Sequence, residues 1–183
     1  MSIAKFILSP HTSPDARQAL QLSSNLFKFP AFLDKESSEE LRRRIIFDSK
    51  NLPKIDSWAS NRKELFNLEY IVTLQPVVKN VLQNLYQKRV EFSYNFTSLY
   101  VDDVSLKRHI DRVGCDINFL IFLGEDFLTY KAPIICVRDD ERDLTVDGEA
   151  GDAVLFLGRT MEHFRPSDPN RTNLITTILH YVF

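Results

Sequence analysis

The sequence predicts a mainly β protein, an antiparallel sandwich or barrel with helices packed outside it. Three observations carry that expectation. The second half of the chain breaks into short apolar runs, several with the two-residue period of a strand. Turn-rich pieces, such as Asp147-Gly148 and Pro166-Ser167-Asp168-Pro169-Asn170, separate them. Residues 1–90 instead read mainly as helix and connector, and helices followed by a series of strands suit this layered architecture.

Taken in order, FLDKESSEELRRRII reads as a helix. Ser37 or Ser38 is the candidate N-cap, Glu39 and Glu40 follow early, and Arg42, Arg43 and Arg44 come later. That charge order complements the helix dipole. The triple arginine suits either a phosphate or partner patch or a solvated helical face. SKNLPKIDSWASNR, residues 49–62, reads as a polar loop. QPVVKNVLQNLYQKR has Val77, Val78, Val81, Leu82 and Leu85 at helical spacing, predicting an amphipathic helix near residues 75–88.

From Glu91 the period changes. EFSYNFTSLYV sets Phe92, Tyr94, Phe96, Ser98 and Tyr100 on one face of a strand. INFLIFLG, residues 117–124, is an apolar run interrupted by Asn118 and reads as a buried strand. APIICVRDD, DLTV, DAVLFLG and NLITTILHYVF complete the series.

Composition limits the function classes. The chain has 183 residues, long enough for one domain with a real core, and 44% are hydrophobic. A net charge of −2 argues against a protein held on nucleic acid or anionic membrane by bulk electrostatics. Cys115 and Cys136 make no disulfide framework and suit a reducing interior. The opening MSIAKFILSPHTSPD has too short an apolar patch for a secretory leader, and no run reaches membrane-spanning length. A soluble, cytoplasmic protein without a membrane partner is expected.

The chemistry concentrates at LKRHIDR. His109 and Asp111 stand two apart, which on a strand projects an imidazole and a carboxylate to one side. Such a pair needs a third donor from a facing strand to hold a metal. Of the other histidines, His11 sits in the N-terminal tail, and His180, inside the apolar LHYVF, reads as a core or edge residue. That leaves His163, after GDAVLFLGRTME. Two imidazoles and one carboxylate make the facial triad of non-haem Fe(II) oxygenases, which leaves positions open for co-substrate and dioxygen. Arg171 opens the last strand and could clamp a carboxylate with two parallel hydrogen bonds. Arg165, two residues past His163, is expected to face solvent or substrate.

In sum these segments resemble the 2-oxoglutarate and Fe(II)-dependent dioxygenases, in particular their prolyl-4-hydroxylase-like branch. The likeness runs through YNFTSLYVDDVSLKRHIDR, INFLIFLGED, GEAGDAVLFLGRTMEHFRP and NRTNLITTILHYV, in family order. PAFLDKESSEELRRRI resembles the helix that often precedes the domain. The resemblance implies a double-stranded β-helix, a jelly-roll barrel over residues 91–183 with residues 1–90 as helical support, in a single domain spanning 1–183. It makes His109, Asp111 and His163 the catalytic iron ligands, and assigns Arg171 to the distal carboxylate of 2-oxoglutarate. Tyr100 matches a tyrosine that lines the active site. A family tyrosine near Phe122 is missing here, and Asn118 on the same strand is a candidate substitute in the co-substrate pocket.

The activity so implied is hydroxylation of an aliphatic C–H of a small molecule, amino acid or peptidyl residue. Fe(II), 2-oxoglutarate and dioxygen are required, and succinate and CO2 are released. Asp111, kept where halogenating relatives have a small residue, favours hydroxylation over halogenation. The competing readings are a non-catalytic jelly-roll binding module and a cupin-type metalloenzyme that does not use 2-oxoglutarate. The substrate and the oligomeric state are not encoded in any motif.

Overall fold

A computed structural model describes residues 19–54, 62–101, 104–127, 135–139, 141–168 and 171–183, the side chains of residues 126, 127 and 171 excepted. The expected jelly-roll barrel forms, as antiparallel sheets with helices outside. The described chain runs β1 (Leu20–Ser23), β2 (Leu26–Phe29), α1 (Lys35–Asp48), β3 (Arg62–Phe66), α2 (Glu69–Val72), α3 (Gln75–Tyr86) and β4 (Glu91–Tyr100). It continues through β5 (Leu106–His109), β6 (Ile117–Phe122), β7 (Asp126–Phe127), β8 (Ile135–Asp139) and β9 (Arg142–Val146). The last elements are β10 (Ala153–Phe156), β11 (His163–Arg165), β12 (Arg171–Thr172) and β13 (Leu174–Val182).

A seven-stranded sheet in the order β1-β2-β10-β6-β13-β4-β3 faces a four-stranded sheet, β5-β11-β8-β9. A two-stranded piece, β12-β7, lies apart in the pairing.

The strand at the centre explains why INFLIF has no polar alternation. All six residues of β6 are buried because both faces are covered. Phe119 and Ile121 pack with Leu41 and Ile45 of α1 and Val78 and Leu82 of α3. Leu120 and Phe122 point the other way, into a second cluster with Ile135, Val137 and Val146 of the smaller sheet. Burying each such side chain stabilises the fold by about 1.5–3 kcal/mol. The molecule is therefore three layers deep, with helices, large sheet and small sheet in succession.

Residues 1–90 contribute more than helices. β1 and β2 extend one edge of the large sheet through β10, and β3 forms the other edge beside β4. These strands have four or five residues each, too few for a legible period.

The N-cap of α1 is Asp34 rather than Ser37 or Ser38, because its carboxylate accepts the Ser37 amide at 2.7 Å. The arginine triplet divides its roles. Arg42 donates to the Asn173 carbonyl at 2.9 Å, Arg43 pairs with Glu40 at 2.6 Å, and Arg44 lies 4.4 Å from the centre of the Tyr70 ring. It is not one cationic patch. The helix α3 ends at Tyr86, two residues before the expected limit, where Gln87 turns left-handed with φ 51°.

Candidate metal and co-substrate site

Between the two sheets lies a cavity of about 460 Å³. The alternation of β4 aims Tyr94, Phe96, Ser98 and Tyr100 at it, and β13 adds Thr176, Ile178 and His180. The small sheet supplies the opposite wall with His109, His163 and Arg165.

β5 and β11 are antiparallel neighbours in which His109 and His163 stand directly opposite. Their ring centres are 4.3 Å apart. Asp111 lies just past the end of β5, where its amide donates to the Gly158 carbonyl at 2.8 Å. Its Oδ1 is 3.6 Å from Nε2 of His109 and 3.6 Å from Nε2 of His163. The three predicted ligands are therefore brought together. At imidazole and carboxylate bond lengths of about 2.0–2.2 Å, ligand atoms at right to tetrahedral angles sit about 2.9–3.6 Å apart. Both carboxylate–imidazole distances reach the upper edge of that range, and all three ligand atoms lie within 4.8 Å of one another.

The ring tautomers suit that role. Nδ1 of His109 bonds the Lys107 carbonyl at 2.7 Å and Nδ1 of His163 bonds the Met161 carbonyl at 3.1 Å. A carbonyl only accepts, so each Nδ1 donates and Nε2 is the ring atom directed at Asp111, the one available to a metal. Burial holds His163 below the ordinary imidazole range, against the pull of Asp111 and with the help of His109. It stays neutral and able to ligate. His163 is 3% exposed, whereas His109 and Asp111 are 22% and 17% exposed, so the triad opens on one side.

Behind the triad stands a second polar set. Asn118 Nδ2 donates to Asp111 Oδ2 at 2.5 Å, and Asn118 Oδ1 meets His180 Nδ1 at 2.7 Å. Asn118, a sequence candidate for the co-substrate pocket, thus has its amide directed at the Asp111 carboxylate. His180 is packed and hydrogen-bonded as expected, stacked on Tyr94 with ring centres 4.5 Å apart. Burial pushes its pKa down to about 4. Asp111, Cys115 and His180 form an alternative grouping of possible ligands. It is the poorer one, because burial raises the Cys115 thiol above its ordinary pKa and Asn118 already engages the other two residues.

The far end of the cavity is cationic. Arg165, two residues along β11 from His163, points inward and is 2% exposed. Of the two expected surroundings, solvent or substrate, it has the second kind: strand alternation turns it to the same interior as His163. Its guanidinium lies 4.8 Å from the centre of the Tyr100 ring. Arg62 of β3 reaches the same end and bonds Glu64 Oε1 through Nε at 2.7 Å. Burial opposes ionisation of Tyr100, but the charges and hydrogen bonds of Arg165 and Arg62 outweigh it and bring its pKa below the ordinary value. Phe122 packs in the same interior, with no hydroxyl to add.

Arg171 begins β12, where its backbone pairs with Phe127. Its side chain lies outside the described residues, as does all of His11. The two cysteines are free and buried, and among the described residues no helix is long and apolar enough to cross a membrane. Arg165, Arg62 and the Asn118–His180 pair were not assigned these positions from sequence. The spacing of His163 and Arg165 on one strand was the available signal.

No family model and no curated protein matches the sequence. The fold does have counterparts: similar solved structures include prolyl hydroxylases and a protein of the 2OG-Fe(II) oxygenase family. A prolyl-4-hydroxylase of Pseudomonas putida superposes with a TM-score of 0.66 at 13% identity, over 97% of this chain and 98% of that one. HygX from Streptomyces hygroscopicus, with nickel and 2-oxoglutarate bound, gives 0.67 at 10% identity, over 95% and 87%. A Trichoplax adhaerens prolyl hydroxylase in complex with a peptide fragment gives 0.66 at 13%, over 93% and 89%. At such identities the likeness is one of fold.

Proposed function

We propose that the protein is an Fe(II)- and 2-oxoglutarate-dependent oxygenase that hydroxylates an aliphatic C–H of a small molecule, amino acid or peptidyl residue. The observation that carries this reading is the convergence of His109, Asp111 and His163 in a cavity between the sheets that is also lined by a buried arginine. His109, Asp111 and His163 would hold the metal, which when bound supplies positions for 2-oxoglutarate and dioxygen and drives the oxidative decarboxylation to succinate and CO2.

The chain's own residues do the rest. The two imidazoles and the carboxylate would hold the ion from one side, toward the more exposed mouth formed by His109 and Asp111. Arg165 holds the distal carboxylate of the co-substrate, with Tyr100 beside it. A buried guanidinium suits that task because its planar fork matches a carboxylate and the low dielectric strengthens the pair. Leu120, Ile135 and Ile178 along the wall exclude water from the space between. Arg171, the residue assigned by resemblance, is the competitor for this role. Ile110, half exposed, and Phe66 on the edge strand line the same cavity and offer apolar surface to a substrate. The named occupants of similar folds, a hypoxia inducible factor peptide fragment and hygromycin B, are consistent with either a peptidyl or a small-molecule substrate.

The test is formation of succinate from 2-oxoglutarate with Fe(II) and air, across a panel of amino acids, peptides and small metabolites. It is coupled to anaerobic titration of metal-loaded protein with 2-oxoglutarate, followed by charge-transfer absorption. Turnover that disappears in Asp111→Ala is expected. Protein that binds metal but neither binds nor consumes 2-oxoglutarate would exclude this reading and leave a metal-binding module.

A further inference from the structure

Asp111 presents its two oxygens to different partners. Oδ1 faces both ligand imidazoles at 3.6 Å, whereas Oδ2 receives the Asn118 amide at 2.5 Å. A carboxylate that only accepts fixes the orientation of that amide, with the NH2 toward Asp111 and the carbonyl toward His180. Asn118 Oδ1 must then accept from His180 Nδ1, which carries the proton. The chain His180 to Asn118 to Asp111 is therefore polarised in one direction. Asn118 is fully buried and His180 is 4% exposed, so solvent does not compete for these bonds.

Gly158 keeps the space for this contact. A Cβ there would lie 2.5 Å from Asp111 Oδ2, 2.6 Å from Asn118 Nδ2 and 2.7 Å from the Cys115 carbonyl. The same residue accepts the Asp111 amide and donates to the Asp116 carbonyl at 3.1 Å. Backbone and side chain of Asp111 are thus held from one side, on three segments of the chain.

We infer that Asn118, oriented by His180, is a positioning residue that reserves one oxygen of Asp111 for the metal and withholds the other. This rests on the metal reading of the triad. If both oxygens were free to swing onto the ion, the carboxylate would take two coordination positions, and one of those needed by co-substrate and dioxygen would be blocked. The Asn118 bond removes that option.

The experiment uses Co(II) alone as the probe, titrated into the metal-free protein and followed by its visible d–d absorption, with thermal melting as the check on folding. Wild type takes up one Co(II). Asn118→Ala is expected to bind it about ten- to a hundredfold more weakly, the usual cost of losing a group that supports a ligand. Its d–d bands should also change shape, because the carboxylate now contacts the ion differently. His180→Phe, which cannot donate to Asn118, should move affinity and spectrum the same way. His180→Asn should restore much of both, since its amide nitrogen can replace ring Nδ1 as donor. If Asn118→Ala does not fold, the two His180 variants decide the matter. Failure of wild type to bind Co(II) would overturn the metal reading itself. Wild-type binding with unchanged affinity and spectrum in Asn118→Ala and His180→Phe would overturn the positioning role alone. A cobalt–thiolate band lost in Cys115→Ser would put the metal on the alternative grouping and overturn both.

Discussion

The two ends of the cavity are built in different ways. At the triad end, two of the three candidate ligands come from one tripeptide, His109 to Asp111, and the third stands opposite His109 on the neighbouring strand. At the cationic end, Tyr100, Arg62 and Arg165 come from three strands in two sheets, and they meet only when the sandwich closes. The first end is specified by local spacing and one strand pair. The second is specified by the whole topology. Function at the triad end can be lost by changing one side chain, whereas the cationic end has more than one charge to lose.

The sharpest way to break this comparison is at the triad. His109→Ala or His163→Ala should abolish stoichiometric metal uptake, a larger loss than the ten- to hundredfold drop that follows removal of a supporting residue. Metal content after gel filtration, with circular dichroism as the check on the barrel, measures it. Full metal occupancy in either variant would mean that the triad end is not the metal end.

Next in size is the cationic end. Arg165→Ala should raise the KM for 2-oxoglutarate about ten- to a thousandfold, since losing one partner of a buried charged pair costs about 2–5 kcal/mol and each 1.4 kcal/mol is tenfold. Co(II) affinity should hardly change. Arg165→Lys should recover part of the loss, because an ammonium lacks the fork. Arg171→Ala is the control. If it raises KM while Arg165→Ala does not, the anchor belongs to β12 and the sequence-based assignment stands.

How much of this was legible follows from the same contrast. β4 and β6 were readable because one has a two-residue period and the other is an apolar run interrupted only by Asn118. The triad residues were nameable because His109 and Asp111 stand two apart and one remaining histidine, His163, sat beyond a turn and a strand. Asn118 was visible as the single polar interruption in INFLIF, but its partners were not, since Asp111 and His180 reach it only through strand pairing. Arg165 carried a signal in its spacing from His163. Whether a strand arginine is buried depends on what faces it, here the Tyr100 ring, and no local pattern states that. Arg62 lies in RKELF, where polar residues dominate and no period marks a strand. β1 and β2 were missed for a similar reason: four residues each, paired to one another and to β10 far along the chain.

The smallest expected effect separates the charge of the cationic end from its hydroxyl. Tyr100 is 2% exposed, and its hydroxyl lies among Arg165 and Arg62, whose influence brings its pKa below the ordinary value. Tyr100→Phe keeps the ring against the Arg165 guanidinium and removes one hydrogen-bonding group. A neutral hydrogen bond is worth about 0.5–1.5 kcal/mol net, so KM for 2-oxoglutarate should rise only about two- to tenfold. Arg62→Gln should fall in a similar or lower range, because Arg62 is already bonded to Glu64. Metal affinity should not move in either variant, since both lie at the opposite end from His109 and Asp111. Steady-state kinetics at varied 2-oxoglutarate, with parallel Co(II) titration, reads both quantities. A Tyr100→Phe effect as large as that of Arg165→Ala would make the hydroxyl, not the guanidinium, the main anchor. A change in Co(II) affinity would show that the two ends are coupled, and that the division between local and topological specification does not hold for this site.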